Sequence, residues 1–269
     1  MRTDGWWRSS LLIGALMGAF ACDDAPQAPF VPDMGHGGAG GEGGMGGAGG
    51  MCEAHEVPCE DQSILALDLK DNVAEGEVRN TWDEANGWWV TEIDTTGGGF
   101  QPSESYVYMA FTEDGLMKGP ISDEDAFVEE AWHISARRYV FRLNSGVGGP
   151  GCVTAGRTAP NTDFGALEAT PEQVTFFEEE YMTDSCEVVP DGSGLPSPGT
   201  VLSTYWTYAS CVQMTGNVYV IDLGDGRQVK FTVDQYYAAE NQQTCNETGA
   251  VPMPSNSGQM KIRWAFLNP

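Results

Sequence analysis

From about residue 80 onward the chain alternates apolar and polar residues with a period of two, which limits its fold more than any other feature. Successive strand side chains point to opposite faces of a sheet, so the pattern buries one face of each strand and leaves little room for long amphipathic helices. Tyr106-Val107-Tyr108-Met109-Ala110-Phe111 is built of strand formers and runs into the turn signal Glu113-Asp114-Gly115. Val218-Tyr219-Val220-Ile221 and Val229-Lys230-Phe231-Thr232-Val233 flank Gly224-Asp225-Gly226. The Asp-Gly pair accommodates positive φ, and this arrangement predicts a hairpin. Met260 to Phe266 alternates apolar and basic residues as a half-buried terminal strand, and Thr81 to Ile93, carrying Trp82, Trp88 and Trp89, opens the sheet region. The class that follows is all-β, a single antiparallel β-rich domain. Short helical turns are expected only at Asp123 to Glu130 and at Pro171 to Glu178, and no repeat suggests a propeller or solenoid.

The N-terminal region has a different character. Arg2 and Arg8 form a positive n-region, Leu11 to Phe20 a short apolar stretch, and Ala19-Phe20-Ala21 places small residues before Cys22. The apolar stretch is shorter than the roughly 20 residues a membrane span needs, and the junction reads as a lipoprotein signal with Cys22 as the lipidated residue. An ordinary cleaved signal beside a structural cysteine is the alternative, and both place the protein outside the cytoplasm. Gly35 to Gly50 is glycine interrupted only by His36, Ala39, Glu42, Met45 and Ala48, and its sixteen residues span about 20–25 Å as a flexible coil. The expected organisation is a signal peptide over 1–21, a Gly-rich tether over 22–51 and one β-rich domain over 52–269. Its expected location is the cell envelope, lipid-anchored on the periplasmic side or the outer surface of the outer membrane.

Thirty-nine acidic residues against thirteen basic ones give a formal charge of −26. That charge opposes nucleic acid and anionic membrane surfaces as partners and favours solubility. Apart from Cys22 there are six cysteines, which in an oxidising compartment predict three disulfides. Cys52 and Cys59 are close enough to close a small loop. Cys211 and Cys245 sit at the open end of the predicted hairpin, which leaves Cys152 for Cys186. Cys52, His55 and Cys59 have spacings that a zinc site uses, but no second cysteine or histidine pair follows nearby, and a disulfide loop is the simpler reading. Asp222 to Gly226 lacks the last glutamate of a calcium loop and reads as a turn.

Nothing in the sequence assembles a catalytic site. Gly-x-Ser-x-Gly, His-Glu-x-x-His, a P-loop and a dinucleotide fingerprint are all missing, and only His36, His55 and His133 could serve a histidine-based mechanism. The chain therefore reads as a non-enzyme with no metal site. Its most unusual stretch is Trp132 to Gly146. Trp132, Ile134 and Ala136 share one strand face and Tyr139, Phe141 and Leu143 the other, which predicts a bulge at Arg137-Arg138. With Arg142, these arginines form a local positive site in an acidic chain, or else a strand edge paired with surrounding carboxylates.

The pattern Trp132-x-Ile134-x-x-x-Arg138, then Asn144-Ser145-Gly146, is followed about seventy residues later by Val218 to Ile221, Asp225-Gly226, Lys230, Tyr236-Tyr237 and Arg263-Trp264-Ala265. In order and spacing, over roughly residues 80 to 269, it resembles the HmuY family. That resemblance implies an exported β-rich lipoprotein of Gram-negative bacteria, and the family's founding member captures haem through two axial side chains. The family often has histidine immediately before the arginine matching Arg138, where this chain has Arg137. The resemblance thus implies His133 as one axial ligand, with a methionine such as Met214 or Met253 opposite and Arg137 and Arg138 meeting the propionates. Met109 and Met182 are further thioethers, although core filling is the ordinary role of any one methionine. Haem or another planar porphyrin is then the expected ligand. The alternative is a structural or interaction lipoprotein that keeps the fold and binds an envelope protein instead.

Overall fold

A computed structural model describes residues 52–99 and 101–268. The signal peptide, Cys22 and the tether lie outside the described residues. In chain order the elements are α1 (Glu60–Ala66), β1 (Val78–Asp83), β2 (Trp88–Asp94), β3 (Val107–Thr112), β4 (Gly115–Lys118), β5 (Ile134–Arg137), β6 (Val140–Leu143), β7 (Thr154–Arg157), β8 (Trp206–Tyr208), β9 (Val212–Met214), β10 (Val218–Asp222), β11 (Gln228–Gln235), α2 (Ala239–Thr248) and β12 (Gln259–Phe266). They form a six-stranded sheet in the order β1-β2-β12-β11-β10-β7, a four-stranded sheet β4-β3-β5-β6 and the ribbon β8-β9. Every pairing between these strands is antiparallel.

The two larger sheets pack face to face. Ile93, Phe231, Ile262 and Trp264 from one meet Met109, Phe111, Ile134 and Phe141 from the other in one buried cluster. Trp264 stacks on Trp89 with ring centroids 6.1 Å apart, meets Phe111 edge-on at 5.0 Å, and donates its indole N–H to Thr91 Oγ1 at 2.9 Å. A buried tryptophan needs such a partner for its N–H. The second face of the four-stranded sheet is also covered. Val57 and Leu69 from the N-terminal strap join Ile121, Phe127 and Trp132 against Tyr106 and Tyr108.

The predicted hairpin is β10 and β11, in register from Val218 opposite Thr232 to Asp222 opposite Gln228. The Met260–Phe266 alternation marks β12, which is last in the chain yet central in its sheet, between β2 and β11. Three expectations change, and the first is that helices form outside the two expected stretches, at α1 and α2. Arg137-Arg138 is not a bulge in one long strand: Arg137 pairs with Val140, so Arg138 and Tyr139 form a two-residue hairpin turn with Arg138 at φ 52°. The apolar face switches because the chain reverses. In place of a helix, Pro171 to Glu178 forms a turn and a bridge from Phe177 to Ala155, whereas Asp125–Phe127 does form a helical turn.

The disulfides are Cys52–Cys152, Cys59–Cys186 and Cys211–Cys245. The pairing of Cys211 with Cys245 agrees with the hairpin argument. The local pairs 52–59 and 152–186 are corrected. Cys59 starts α1, which lies along the strap, and the strap is bound to the domain body through both of its cysteines rather than closed on itself.

Candidate functional site

At one end of the sandwich, the β5–β6 turn, the end of α1, the β11–α2 connection and the loops 195–198 and 251–257 enclose a cleft of about 790 Å³. That volume lies within the range of small-molecule pockets. The walls are mostly aromatic and aliphatic: Tyr139, Tyr208, Tyr236, Tyr237, Val140, Leu195 and Val251. A second lobe of about 670 Å³ shares Arg138, Tyr236 and Met253 with the first and continues along the 253–259 loop to Thr96 and Gly99.

The tyrosines are held by packing. Tyr139, at the hairpin tip, lies 4.9 Å from Trp206 and 5.9 Å from Tyr236, measured between ring centroids. Tyr236 and Tyr237 follow β11 directly and sit 4.9 Å apart edge-on. Their backbone N–H groups donate to the Gln242 side chain of α2, at 2.8 and 3.2 Å, and Tyr237 Oη accepts from Val212 N at 3.1 Å. Burial pushes the Tyr236 phenol up to about 12 and raises those of Tyr139 and Tyr237. These hydroxyls stay protonated at neutral pH and can donate or accept hydrogen bonds.

The two adjacent arginines have different roles. Arg137 is buried: its Nη1 donates to Asp68 O and Glu104 O at 3.1 and 3.2 Å, its Nη2 donates to Leu67 O at 2.7 Å, and Tyr106 lies under the guanidinium at 4.4 Å. Asp123 Oδ2 is 3.5 Å from Nη1, while the same carboxylate accepts from Tyr106 N and Tyr108 Oη at 2.8 Å. Arg137 therefore ties the strap to the sheet and also lines the cleft. Arg138 projects from the turn, donates Nη1 to Gly99 O at 2.8 Å and lines both lobes. Arg142, fully buried on β6, donates to Tyr181 Oη, Tyr108 Oη and Gly148 O.

The structure does not bring His133 and the methionines together. His133 precedes β5 at the end away from Arg138, and its Nδ1 accepts from Phe111 N at 3.0 Å. Burial lowers it to about 4, with Arg227 of the β10–β11 turn as the second cause. The cleft lies beyond the other end of β5, whose length separates His133 from Arg138 by about 16 Å. Met253 does line the cleft, on its rim and 85% exposed. Met214, on β9, is half-buried against the core and does not line the cleft; its backbone N–H donates to Asn246 Oδ1 at 3.0 Å. His55 Nε2 lies 3.2 Å from Gly146 O, away from the cleft. A haem fitted here would thus meet aromatic walls, two arginines and one thioether, and not a pair of imidazoles. Met253 and the Tyr236-Tyr237 doublet stand out in the sequence, whereas nothing local marks Tyr139, Tyr208 or the rest of the 251–257 loop as cleft wall.

No family model matches the chain, and no curated protein matches it. Among solved structures it is similar to a proposed lipoprotein from Bacteroides fragilis, at 16% identity and TM-score 0.44, covering 68% of this chain and 91% of that one. It is also similar to a proposed HmuY-like haem-binding protein from Bacteroides vulgatus, at 17% identity and TM-score 0.42, covering 69% and 94%. A third is the apo HmuY analogue of Tannerella forsythia, at 15% identity and TM-score 0.36, covering 75% and 100%.

Proposed function

We propose that this chain is an envelope lipoprotein that binds haem or another planar porphyrin in the tyrosine-walled cleft. The observation that carries the reading is that cleft itself: an aromatic slot lined by Arg138 as well as by tyrosines. Flat aromatic walls cover the faces of a macrocycle, and a guanidinium forms charge-assisted hydrogen bonds with a carboxylate such as a propionate. The sequence resemblance to the HmuY family supports the same ligand class. Binding rather than catalysis suits the walls, where the phenols are held protonated and no nucleophile-base pair was found in the sequence.

Haemin titrated into the purified chain is expected to give a saturable change in the Soret band at micromolar protein. No saturable change under oxidising or reducing conditions would sink the reading and leave a lipoprotein that binds a protein partner. In the same reading Cys22 carries the lipid and the glycine tether holds the domain clear of the bilayer. Cys22→Ser should move the protein from the membrane pellet to the soluble fraction, and a variant that still pellets would refute the anchor.

A further inference from the structure

If the cleft holds a planar, carboxylate-bearing ligand, as proposed above, the side chains on its walls decide which part of that ligand is recognised. Reading a central iron takes an axial donor: imidazole, thiolate, thioether or phenolate. Among the described residues, His55 and His133 both lie off the cleft. Six cysteines are joined in disulfides. Met253 is the one thioether on the walls, and it stands on an exposed rim loop with little around it to fix its sulfur. The phenols of Tyr236 and Tyr139 are buried or half-buried and held in the protonated form, which opposes ligation as phenolate. By contrast, the features that would meet a macrocycle and its acid group are well fixed. Tyr139 is packed between Trp206 and Tyr236, and Arg138 is set by its place in a two-residue turn.

We infer that the cleft recognises the aromatic macrocycle and its carboxylate rather than a metal at its centre, so that it takes a metal-free porphyrin as readily as a metallated one.

The test is a parallel titration of the full-length chain, in detergent, with protoporphyrin IX and with haemin. Quenching of tryptophan fluorescence is the readout, because Trp206 lies against the cleft wall through Tyr139. Dissociation constants within about fivefold of each other are expected, and Met253→Ala should change both by the same factor. Arg138→Gly should weaken both by about tenfold or more. Glycine suits the φ of 52° at that position, so the variant keeps the turn. Haemin binding more than about 100-fold tighter than protoporphyrin IX would overturn the inference while leaving the porphyrin cleft intact. So would a Met253→Ala effect on haemin alone. Quenching by neither porphyrin would overturn the cleft reading, and the inference with it.

Discussion

The strap that carries Cys52 and Cys59 offers the sharpest quantitative test of the fold. Consider the double variant Cys59→Ala, Cys186→Ala. This bridge spans a sequence separation of 127 residues, and in the chain-entropy account such a loop alone would contribute about 5 kcal/mol. The contribution is smaller while Cys52–Cys152 remains, because the shortest closed ring then runs from Cys59 back to Cys52, across that bridge, and from Cys152 on to Cys186. That ring holds about 41 residues and is worth about 4 kcal/mol. Removing both bridges should cost about 8–9 kcal/mol, comparable with the whole stability of an ordinary domain.

Urea unfolding without reductant is the assay. The single-bridge variant should lose about 4 kcal/mol and the variant lacking both strap bridges should be largely unfolded in buffer. Non-reducing peptide mapping of the parent protein should recover 52–152, 59–186 and 211–245. A loss below about 1 kcal/mol in the single-bridge variant would refute the ring argument, and a Cys52–Cys59 peptide would refute the topology behind it.

Other perturbations test the buried polar groups. Glu179 is fully buried, accepts from Leu143 N and Val201 N at 2.9 and 3.1 Å, and is pushed up to about 7 mainly by burial. A folded-state pKa above the unfolded value means that its stability contribution is full below about pH 4.5 and is lost as pH rises through 7, by about 3 kcal/mol. Urea unfolding from pH 5 to 8 should show that decline in the parent and not in Glu179→Gln; parallel profiles would contradict it. Asn144→Ala should cost about 3 kcal/mol in the same assay, because Asn144 Oδ1 accepts from Gly151 N at 2.9 Å and its Nδ2 donates to Trp132 O at 2.9 Å, both buried. Arg137→Ala should cost about 3–5 kcal/mol by leaving Asp123 and three carbonyls without their cation, whereas Arg138→Gly should change stability by less than about 1 kcal/mol. Equal losses at 137 and 138 would show that the two arginines are not divided as described.

The parts of the fold that were legible in the sequence are those fixed by neighbours along the chain. The β10–β11 hairpin follows from alternation and an Asp-Gly turn, and Cys211–Cys245 follows from the hairpin. The turn at Arg138-Tyr139 was hidden because no glycine or asparagine announces its positive φ. Helix α2 was hidden because Ala239 to Thr248 has no apolar stripe; Gln242 and the bonded Cys245 hold it in place instead. The strap disulfides depend on where α1 is laid down, and no local spacing encodes that position. The cleft was the least legible feature, since its walls come from seven separated stretches that only the tertiary fold brings together.

The motif that carries the family resemblance lies mostly beside the cleft and not in it. Asn144 and Gly151 close a buried loop, Gly146 at φ 53° passes so close to Glu179 O that a Cβ has no room, and Trp132 packs edge-on against Tyr108 at 4.8 Å. Arg142 and Asp123 meet on Tyr108 Oη within the same layer. These residues fix how the strap and the β6–β7 connection lie on the four-stranded sheet. The cleft is built differently. Only Arg138 and Tyr236-Tyr237 belong to both the motif and the walls, while Leu195 and Met253 come from other loops and Tyr208 from the end of β8. Substitutions in those loops can therefore change what the cleft accepts without disturbing the buried polar layer. For that reason a signature that marks the scaffold leaves open what the cleft accepts, and that must be read from the walls.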